Sequence, residues 1–168
     1  MAEPWLCPEA IEFLERIVTG ARVFEFGMGG STPWLAERAL ALVSVDHSST
    51  WYDRVKDKIV ALGELAAEWT LVLCEDLAHY PATIHQHGWF DVVIVDGRER
   101  VLCVTAAVLH VVVGGWLVLD DSERKGYSSI VKTLKQLGWQ EIIKRGQKAG
   151  SKEGQIVTTQ TSFYRRPE

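Results

Sequence analysis

One acidic residue and three glycines share a short stretch of the chain, residues 22–32, in a pattern that suits a small charged ligand. Glu25 lies in an apolar run and is followed by Gly27, Gly29 and Gly30. Because glycine adopts backbone angles that other residues resist, this segment predicts a tight turn from a buried strand into a helix. A carboxylate two residues before the first glycine would repel a pyrophosphate. It favours a ligand that carries an ammonium group.

The residues after the glycines indicate how the helix begins. Ser31 or Thr32 can cap the helix, and Pro33 suits its first turn. A dinucleotide-binding fingerprint has a further glycine three places after its second one, where this sequence has Thr32. The pattern therefore argues against NAD and against a nucleotide sugar.

A second acid, Asp46, ends the next predicted strand, residues 41–45. It follows the glycine turn by about twenty residues, where an open α/β sheet places a carboxylate against ribose hydroxyls. The alternative is an Asp that caps the next helix. His47 follows it, and Trp51 either lines an adenine pocket or begins the apolar stripe of that helix.

Two clusters of charged residues follow two later strands, at 96–100 (Asp-Gly-Arg-Glu-Arg) and 120–124 (Asp-Asp-Ser-Glu-Arg). The carboxyl ends of parallel strands meet at one edge of a sheet, so we expect these clusters to share a crevice with Glu25 and Asp46. Carboxylates and guanidinium groups there can pair with each other, hold an ionic substrate or coordinate a divalent cation.

Alternating strand and helix patterns predict an α/β domain that spans residues 1–168, in which residues 1–20 form a leading helix segment. Trp5 either anchors that helix or covers the cofactor. Helices are predicted at residues 8–18, 34–39, 51–62, 101–112 and 126–137. Strands are predicted at residues 23–26, 41–45, 69–74, 89–97, 116–119, 140–143 and 155–164, with an exposed hairpin loop at 148–154.

The amino-acid composition indicates which class of protein to expect. A chain of 168 residues with 47% apolar and 24% charged residues suits one globular domain. No apolar run approaches the roughly 20 residues of a membrane span. The first residues lack the layout of a signal peptide, and three scattered cysteines form no disulfide framework. We therefore expect a cytoplasmic protein without a membrane partner.

Charge is distributed unevenly along the chain. The net charge is −4, with −8 in residues 1–100 (8 basic, 16 acidic) and +4 in residues 101–168 (10 basic, 6 acidic). The basic part lacks the interleaved aromatic residues of a nucleic-acid surface, which argues against a nucleic-acid substrate.

The motifs together resemble those of class I S-adenosylmethionine-dependent methyltransferases, over essentially the whole chain. The first motif of that family reads acid-x-Gly-x-Gly, which Glu25, Gly27 and Gly29 match. Its fourth and fifth strands read like residues 90–96 (Phe-Asp-Val-Val-Ile-Val-Asp) and 114–121 (Gly-Gly-Trp-Leu-Val-Leu-Asp-Asp). The resemblance implies a three-layer αβα sandwich, with a mostly parallel seven-stranded sheet and an antiparallel last strand.

The resemblance also implies S-adenosylmethionine as cofactor and assigns residues to it. Glu25 would lie near the amino end of the methionine moiety, and the glycines would let the backbone approach the ligand. Asp76 would contact the adenine amino group. The implied cofactor-binding residues are Glu25, Gly27, Met28, Gly29, Gly30, Ser31, Asp46, His47, Trp51, Asp76, Leu77 and Asp96.

For catalysis, the resemblance puts Asp96 closest to the transferred methyl group. The residues expected to contact the acceptor are Asp121, Arg98, Arg124 and Tyr127. Methyl transfer is an in-line displacement, in which positioning supplies most of the acceleration, and a base is needed only if the acceptor must lose a proton.

A metal-dependent mechanism of the catechol O-methyltransferase type is the alternative, since Asp96, Asp120 and Asp121 partly match its ligands. Asp121 replaces the expected Asn, and Glu99 stands where that group carries a lysine. We therefore expect no bound metal.

The expected reaction is methyl transfer to an acceptor such as a small-molecule hydroxyl. The alternative is a non-catalytic module that binds S-adenosylmethionine or a partner protein. The chain has no insertion that could form a substrate lid. The acceptor site is therefore either open or completed by a second subunit of a homo-oligomer.

Overall fold

Helices and strands alternate along the chain in the computed structural model, which describes residues 3–65, 67–150 and 155–168. The helices are α1 (Pro8–Val18), α2 (Ser31–Ala36), α3 (Ser49–Ala61), α4 (Arg100–Ala107) and α5 (Ser128–Gln136), with 3₁₀ turns at Tyr80–Gln86 and Lys125–Tyr127. The strands are β1 (Arg22–Phe26), β2 (Ala41–Asp46), β3 (Glu68–Leu73), β4 (Phe90–Val95), β5 (Val111–Asp120), β6 (Gln140–Ala149) and β7 (Ile156–Arg165).

In the described part of the chain, seven strands form one sheet in the order β3-β2-β1-β4-β5-β7-β6. Strands β1 to β5 pair in parallel, whereas β7 pairs antiparallel with both β5 and β6. The predicted fold, a mostly parallel sheet with an antiparallel last strand, is confirmed. The carboxyl ends of β1, β2, β4 and β5 consequently lie at the same edge of the sheet.

Buried side chains cover both faces of the sheet, because successive residues of a strand point to opposite sides. Val23 packs with α1, α2 and α3 on one face, and Phe24 packs with α4 and α5 on the other. Both side chains are fully buried. The arrangement is the predicted three-layer αβα sandwich.

The predicted helix at 101–112 was too long. Helix α4 ends at Ala107, and the valines at 111–113 begin β5, where β-branched side chains are favoured. The pairing of β4 with β5 shifts between Phe90 and Val92, and a Cβ on Gly115 would lie 2.7 Å from the Asp91 carbonyl oxygen. The two glycines at 114–115 therefore form a bulge inside β5 and do not end a helix.

Other predicted bounds also change. Helix α2 occupies Ser31–Ala36, whereas the prediction was 34–39, and β6 has ten residues, so that it includes Lys148 of the predicted hairpin loop. Residues 151–154 of that loop lie outside the described residues, as do residues 1 and 2 of the leading segment. No helix of the described chain is long and apolar enough to cross a membrane.

Candidate functional site

The glycine loop after β1 packs directly on the loop after β4. Gly27 has a φ of +105°, and a Cβ at this position would lie 2.6 Å from both the Cα and the N of Gly97. A glycine is therefore required here by conformation and by space. At Gly29, by contrast, a Cβ would meet nothing within 4 Å, so the backbone faces open space.

The Glu25 side chain lies beneath this loop and binds it through hydrogen bonds. Its side chain is fully buried, and its carboxylate accepts hydrogen bonds from the hydroxyls of Ser31, of Thr32 (2.7 Å) and of Ser44 (2.5 Å). Burial raises the pKa of Glu25, and the three hydroxyl donors oppose that shift. The predicted capping role of Ser31 and Thr32 was wrong, because α2 has no side-chain cap and both hydroxyls bind Glu25.

Asp46 lies at the end of β2 beside the glycine loop. Its Oδ2 accepts the Met28 N–H at 2.8 Å, and its Oδ1 accepts the Ser48 N–H at 2.8 Å. The hydroxyl that caps α3 belongs to Ser48, which accepts the Trp51 N–H, so Asp46 is not a helix cap. A carboxylate offers about four acceptor positions, so this one retains capacity for a ligand.

His47 carries an unsatisfied polar atom at the same place. Its Nδ1 is buried and has no hydrogen-bond partner among the described residues. The Asp46 Oδ1 atom lies 3.2 Å away, close enough for an ion pair if the imidazole is protonated but not aligned for a hydrogen bond. A buried polar atom without a partner is costly in a folded protein, and the Asp46 carboxylate is the polar group that lies beside this one.

A cavity of about 780 Å³ opens at this edge of the sheet, between the loops that follow β1, β2, β4 and β5. The predicted site residues that line it are Gly27, Met28, Gly29, Gly30, Ser31, Asp46, His47, Trp51, Asp96, Arg98, Arg124 and Tyr127. The other lining residues are Trp5, Gly97, Glu99, Arg100 and Val101. A volume of this size suits a ligand of nucleoside dimensions with room beside it.

Four predicted site residues do not line this cavity. Glu25 lies beneath the loop, and Asp121 lines a smaller neighbouring cavity of about 310 Å³. Asp76 and Leu77 lie outside both cavities. The Asp76 carboxylate binds the Ala78 N–H at 2.9 Å and the ring of His79 at 2.6 Å, which lowers the Asp76 pKa. The adenine contact of Asp76 and the cofactor-binding role of Leu77 stay predictions.

The two charged clusters meet, as predicted, and they pair through Arg100. Its guanidinium lies 2.9 Å from Asp96 Oδ1 and 3.4 Å from Asp121 Oδ2, and it donates to the Asp120 carbonyl oxygen at 2.6 Å. Lys148 Nζ adds contacts of 3.4 Å to Asp120 Oδ2 and 3.7 Å to Asp121 Oδ1. Side chains from β4, α4, β5 and β6 thus form one ionic network.

The network leaves Asp96 partly exposed to the cavity. Burial, followed by the nearby Asp120 carboxylate, raises the pKa of Asp96 to about 7, although Arg100 and Lys148 act in the opposite direction. Glu99 and Asp121 on either side have φ values of 47° and 52°, which non-glycine residues adopt rarely. Such backbone strain is often found at functional sites.

Lys148 was not predicted as a site residue, whereas Trp5 and Arg100 were noted in the sequence without a definite role. Lys148 arrives from β6, far along the chain from the other members, and no local motif marks it. Trp5 lines both cavities, and its indole donates to the Ala149 carbonyl oxygen at 2.6 Å. Arg100 was visible in the charged cluster, but its position at the centre of the network depends on the sheet.

The acidic side chains of the site do not form a cluster suited to a metal ion among the described residues. Among the described residues, no group of three or more His, Cys, Asp or Glu side chains is arranged to hold a metal ion. The Asp120 and Asp121 carboxylates, which the catechol-type mechanism would use, contact Lys148, and Asp121 also contacts Arg100 and Arg124. These contacts supply the positive charge that a divalent ion would bring.

The pKa of Asp96 has a measurable consequence. Because the folded-state pKa exceeds that of the unfolded chain, the stability from Asp96 is present below about pH 4 and is lost as pH rises to about 7. Relative to the Asp96→Asn variant, the wild type should lose about 1 kcal/mol of unfolding free energy between pH 5 and 8. This value is well below the full linkage because 36% of the side chain is exposed.

Urea denaturation of both proteins at the two pH values measures this difference. The variant Asp57→Asn, at an exposed position of α3, is the matched control and should show no such change. A wild-type–variant difference that is equal at pH 5 and pH 8 would contradict the assigned pKa.

Comparison with solved structures identifies the fold. A methyltransferase-like protein from Silicibacter pomeroyi superposes with a TM-score of 0.71 at 24% identity, over 100% of this chain and 91% of that one. Precorrin-6y C5,15-methyltransferase from Geobacter metallireducens gives 0.70 at 14% identity, over 100% and 93%. The N-methyltransferase NodS from Bradyrhizobium japonicum, in complex with S-adenosylhomocysteine, gives 0.63 at 18%, over 99% and 89%. No protein-family model and no curated protein sequence matches the chain.

Proposed function

We propose that this chain, which has the Rossmann-like fold of class I S-adenosylmethionine-dependent methyltransferases, binds S-adenosylmethionine and transfers its methyl group to an acceptor. One observation carries the proposal. Asp46 is fixed by two backbone N–H groups at the tip of β2 and lines the cavity next to a bare glycine backbone. That pairing suits an adenosyl ligand, whose ribose hydroxyls need a carboxylate acceptor.

The residues present fit this cofactor along its length. Asp46 would accept hydrogen bonds from the ribose hydroxyls, and the open space at Gly29 would let the ligand approach the backbone. Ser31 lines the cavity and donates its proton to Glu25, so its oxygen is left to accept from the ammonium group. Glu25 would thus act on the ammonium group through Ser31 and not by direct contact.

Trp51 and His47 would complete the adenosine side. Trp51 is 43% exposed and lines the cavity, whereas Val55 and Ile59 of the same helix are buried. Its ring is therefore available to contact an adenine, which favours the first of the two roles predicted for it. The unpartnered Nδ1 of His47 lies beside Asp46, within the part of the cavity assigned to the ribose.

The acceptor side of the proposal depends on Asp96. S-adenosylmethionine supplies an electrophilic methyl group, and a neutral hydroxyl must lose its proton as it attacks. Asp96 lies at the tip of the central strand, lines the cavity and has a pKa near neutrality, which is suited to accept that proton. We propose a hydroxyl acceptor on a small molecule, with Arg98, Arg124 and Tyr127 in contact with it.

Ligand binding tests the cofactor assignment directly. At about a hundredfold excess over its dissociation constant, S-adenosylmethionine or S-adenosylhomocysteine should add roughly 2.7 kcal/mol to the unfolding free energy. Thermal denaturation with each ligand, and with NAD as the comparison, measures this gain. Stabilisation by NAD alone would contradict the proposal.

A non-catalytic binding module of the same fold is the second candidate. The observation in its favour is that Asp96 and Asp121 are both paired with Arg100, which leaves fewer free groups for chemistry. Incubation with methyl-labelled S-adenosylmethionine and a panel of small hydroxyl compounds distinguishes the two. Formation of S-adenosylhomocysteine above the enzyme-free rate supports a methyltransferase, and tight binding without turnover supports the module.

A further inference from the structure

A second large cavity adjoins the one described above. It has a volume of about 660 Å³ and lies between the segment after β5 and the exposed face of α5. Arg124 lines both cavities, so they meet at this side chain. The two cavities are therefore neighbours, with the Arg124 side chain between them.

Most charged side chains that line the second cavity are basic. Its charged lining consists of the four cations Arg124, Lys125, Lys132 and Lys135 and one acid, Glu123. Two of the cations are neutralised, because Lys135 pairs with Glu141 at 2.8 Å and Arg124 pairs with Asp121. Among the residues that the structure describes, Lys125 and Lys132 form no ion pair. Glu123 also forms no ion pair among the described residues, so the lining keeps an excess of one positive charge.

Helix α5 carries part of this charge and is packed against the core. Ser128, Lys132 and Gln136 are spaced four residues apart and lie on one helical face. Val131, between them, lines the cavity and also packs against the core on that side of the sheet. Lys132 thus extends from a helix whose position is fixed by buried apolar contacts, and Lys125 lies in the 3₁₀ turn that precedes this helix.

Given the methyltransferase function proposed above, on which this inference rests, we propose that the methyl acceptor is a small molecule with two or more anionic groups, carboxylate or phosphate. Lys125 and Lys132 bind these groups, and the methylated end reaches past Arg124 towards Asp96. Charge-assisted hydrogen bonds of this kind are shorter and stronger than neutral ones. In this assignment, the anionic groups of the acceptor neutralise the unpaired positive charge of the cavity.

The size and lining of the cavity favour a small molecule over nucleic acid. Its volume is within the range of about 300–1,000 Å³ typical of small-molecule sites. A single-stranded nucleic acid is usually held by aromatic side chains on which bases stack, and none lines this cavity. The net charge of the chain, −4, also opposes a long polyanion.

Two simple anions probe the cavity. Benzene-1,3,5-tricarboxylate carries carboxylates and pyrophosphate carries phosphates, and the uncharged benzene-1,3,5-tricarboxamide is the control. Titration into the ¹⁵N-labelled protein should shift the amide signals of residues 122–136 with at least one anion and not with the triamide. The anion that binds more tightly identifies the source of the anionic groups.

Two double variants test the assignment to lysines. Lys125→Gln with Lys132→Gln should weaken binding of the anion at least about tenfold, because two charged donors are lost. Lys56→Gln with Lys58→Gln, at exposed positions of α3, removes the same charge elsewhere and should leave the affinity within about twofold. Binding of S-adenosylhomocysteine should be unchanged in both.

Several outcomes would overturn the inference. The inference is wrong if neither anion shifts the amide signals, or if the triamide shifts them equally. It is also wrong if the two double variants lose the same affinity, or if a twelve-nucleotide thymidine strand binds more tightly at the same residues. The measurement of S-adenosylhomocysteine binding is independent of this one. Its failure would refute the proposed function while leaving the basic cavity established as an anion site.

Discussion

Replacement of Gly29 by valine should abolish cofactor binding and leave the fold intact. The position has room for a side chain in the unliganded protein, because nothing lies within 4 Å of a Cβ placed there. That room is the part of the cavity that the ligand would occupy. We expect an affinity loss of at least about a hundredfold, or roughly 2.7 kcal/mol, with little change in Tm. Isothermal titration with S-adenosylhomocysteine and thermal denaturation measure the two effects.

Two glycine variants control this result. Gly126→Val also places a side chain in open space, at a position next to Tyr127 that does not itself line this cavity, and should bind like the wild type. Gly27→Ala should instead destabilise the fold, because its Cβ would overlap the backbone of Gly97 at a positive φ. Wild-type affinity in Gly29→Val would mean that the ligand does not approach this backbone.

Replacement of Asp46 by alanine should weaken cofactor binding by about 1.5–3 kcal/mol, which corresponds to roughly 10- to 150-fold. The variant loses the carboxylate proposed to accept the ribose hydroxyls. It also frees the Met28 N–H, which Asp46 holds at 2.8 Å, so the glycine loop loses one of its supports. Affinities for S-adenosylhomocysteine and for the free base adenine separate the two effects, since adenine has no ribose.

The variant Asp46→Asn refines the measurement. Its amide oxygen can still accept the Met28 N–H, but the negative charge is gone, so the affinity should fall between those of the wild type and the alanine variant. Asp57→Ala, at an exposed site on α3, is the control for charge alone. If Asp46→Ala binds S-adenosylhomocysteine as tightly as the wild type, the ribose assignment is refuted.

The sheet and the glycine loop could be predicted because their signals are local. The apolar run at 23–26, the glycines and the acid at 46 lie within 25 residues of one another, and each identifies the end of an element. The strand at 111–113 was missed for a related reason. A short valine run next to alanine-rich sequence fits a helix equally well until the pairing of Phe90 with Val111 is known.

The role of Glu25 could be predicted only in part. The family resemblance implied a place at the ligand's amino end, but a sequence motif does not show on which side of the loop the carboxylate lies. The direction depends on Ser44, which sits opposite Glu25 in the pairing of β1 with β2 and donates to it. A strand register set by the whole sheet decides this contact.

The ionic network could not be predicted from the sequence either, because it also depends on how the strands pair. Lys148 reaches Asp120 because β7 lies between β5 and β6 and brings a distant segment to this edge. The local contacts of Asp76 could not be predicted either. Its carboxylate follows a strand and binds its own neighbours Ala78 and His79 in a local turn, and its role towards adenine stays a prediction.

The contact between Gly27 and Gly97 has a consequence for how a ligand arrives. Two backbones that touch without intervening side chains cannot slide apart without losing packing on both sides, so the floor of the cavity is already shaped in the free protein. A preorganised floor reduces the ordering entropy that association would otherwise cost. The rate of cofactor capture should then depend on diffusion and orientation and not on a slow rearrangement of the protein.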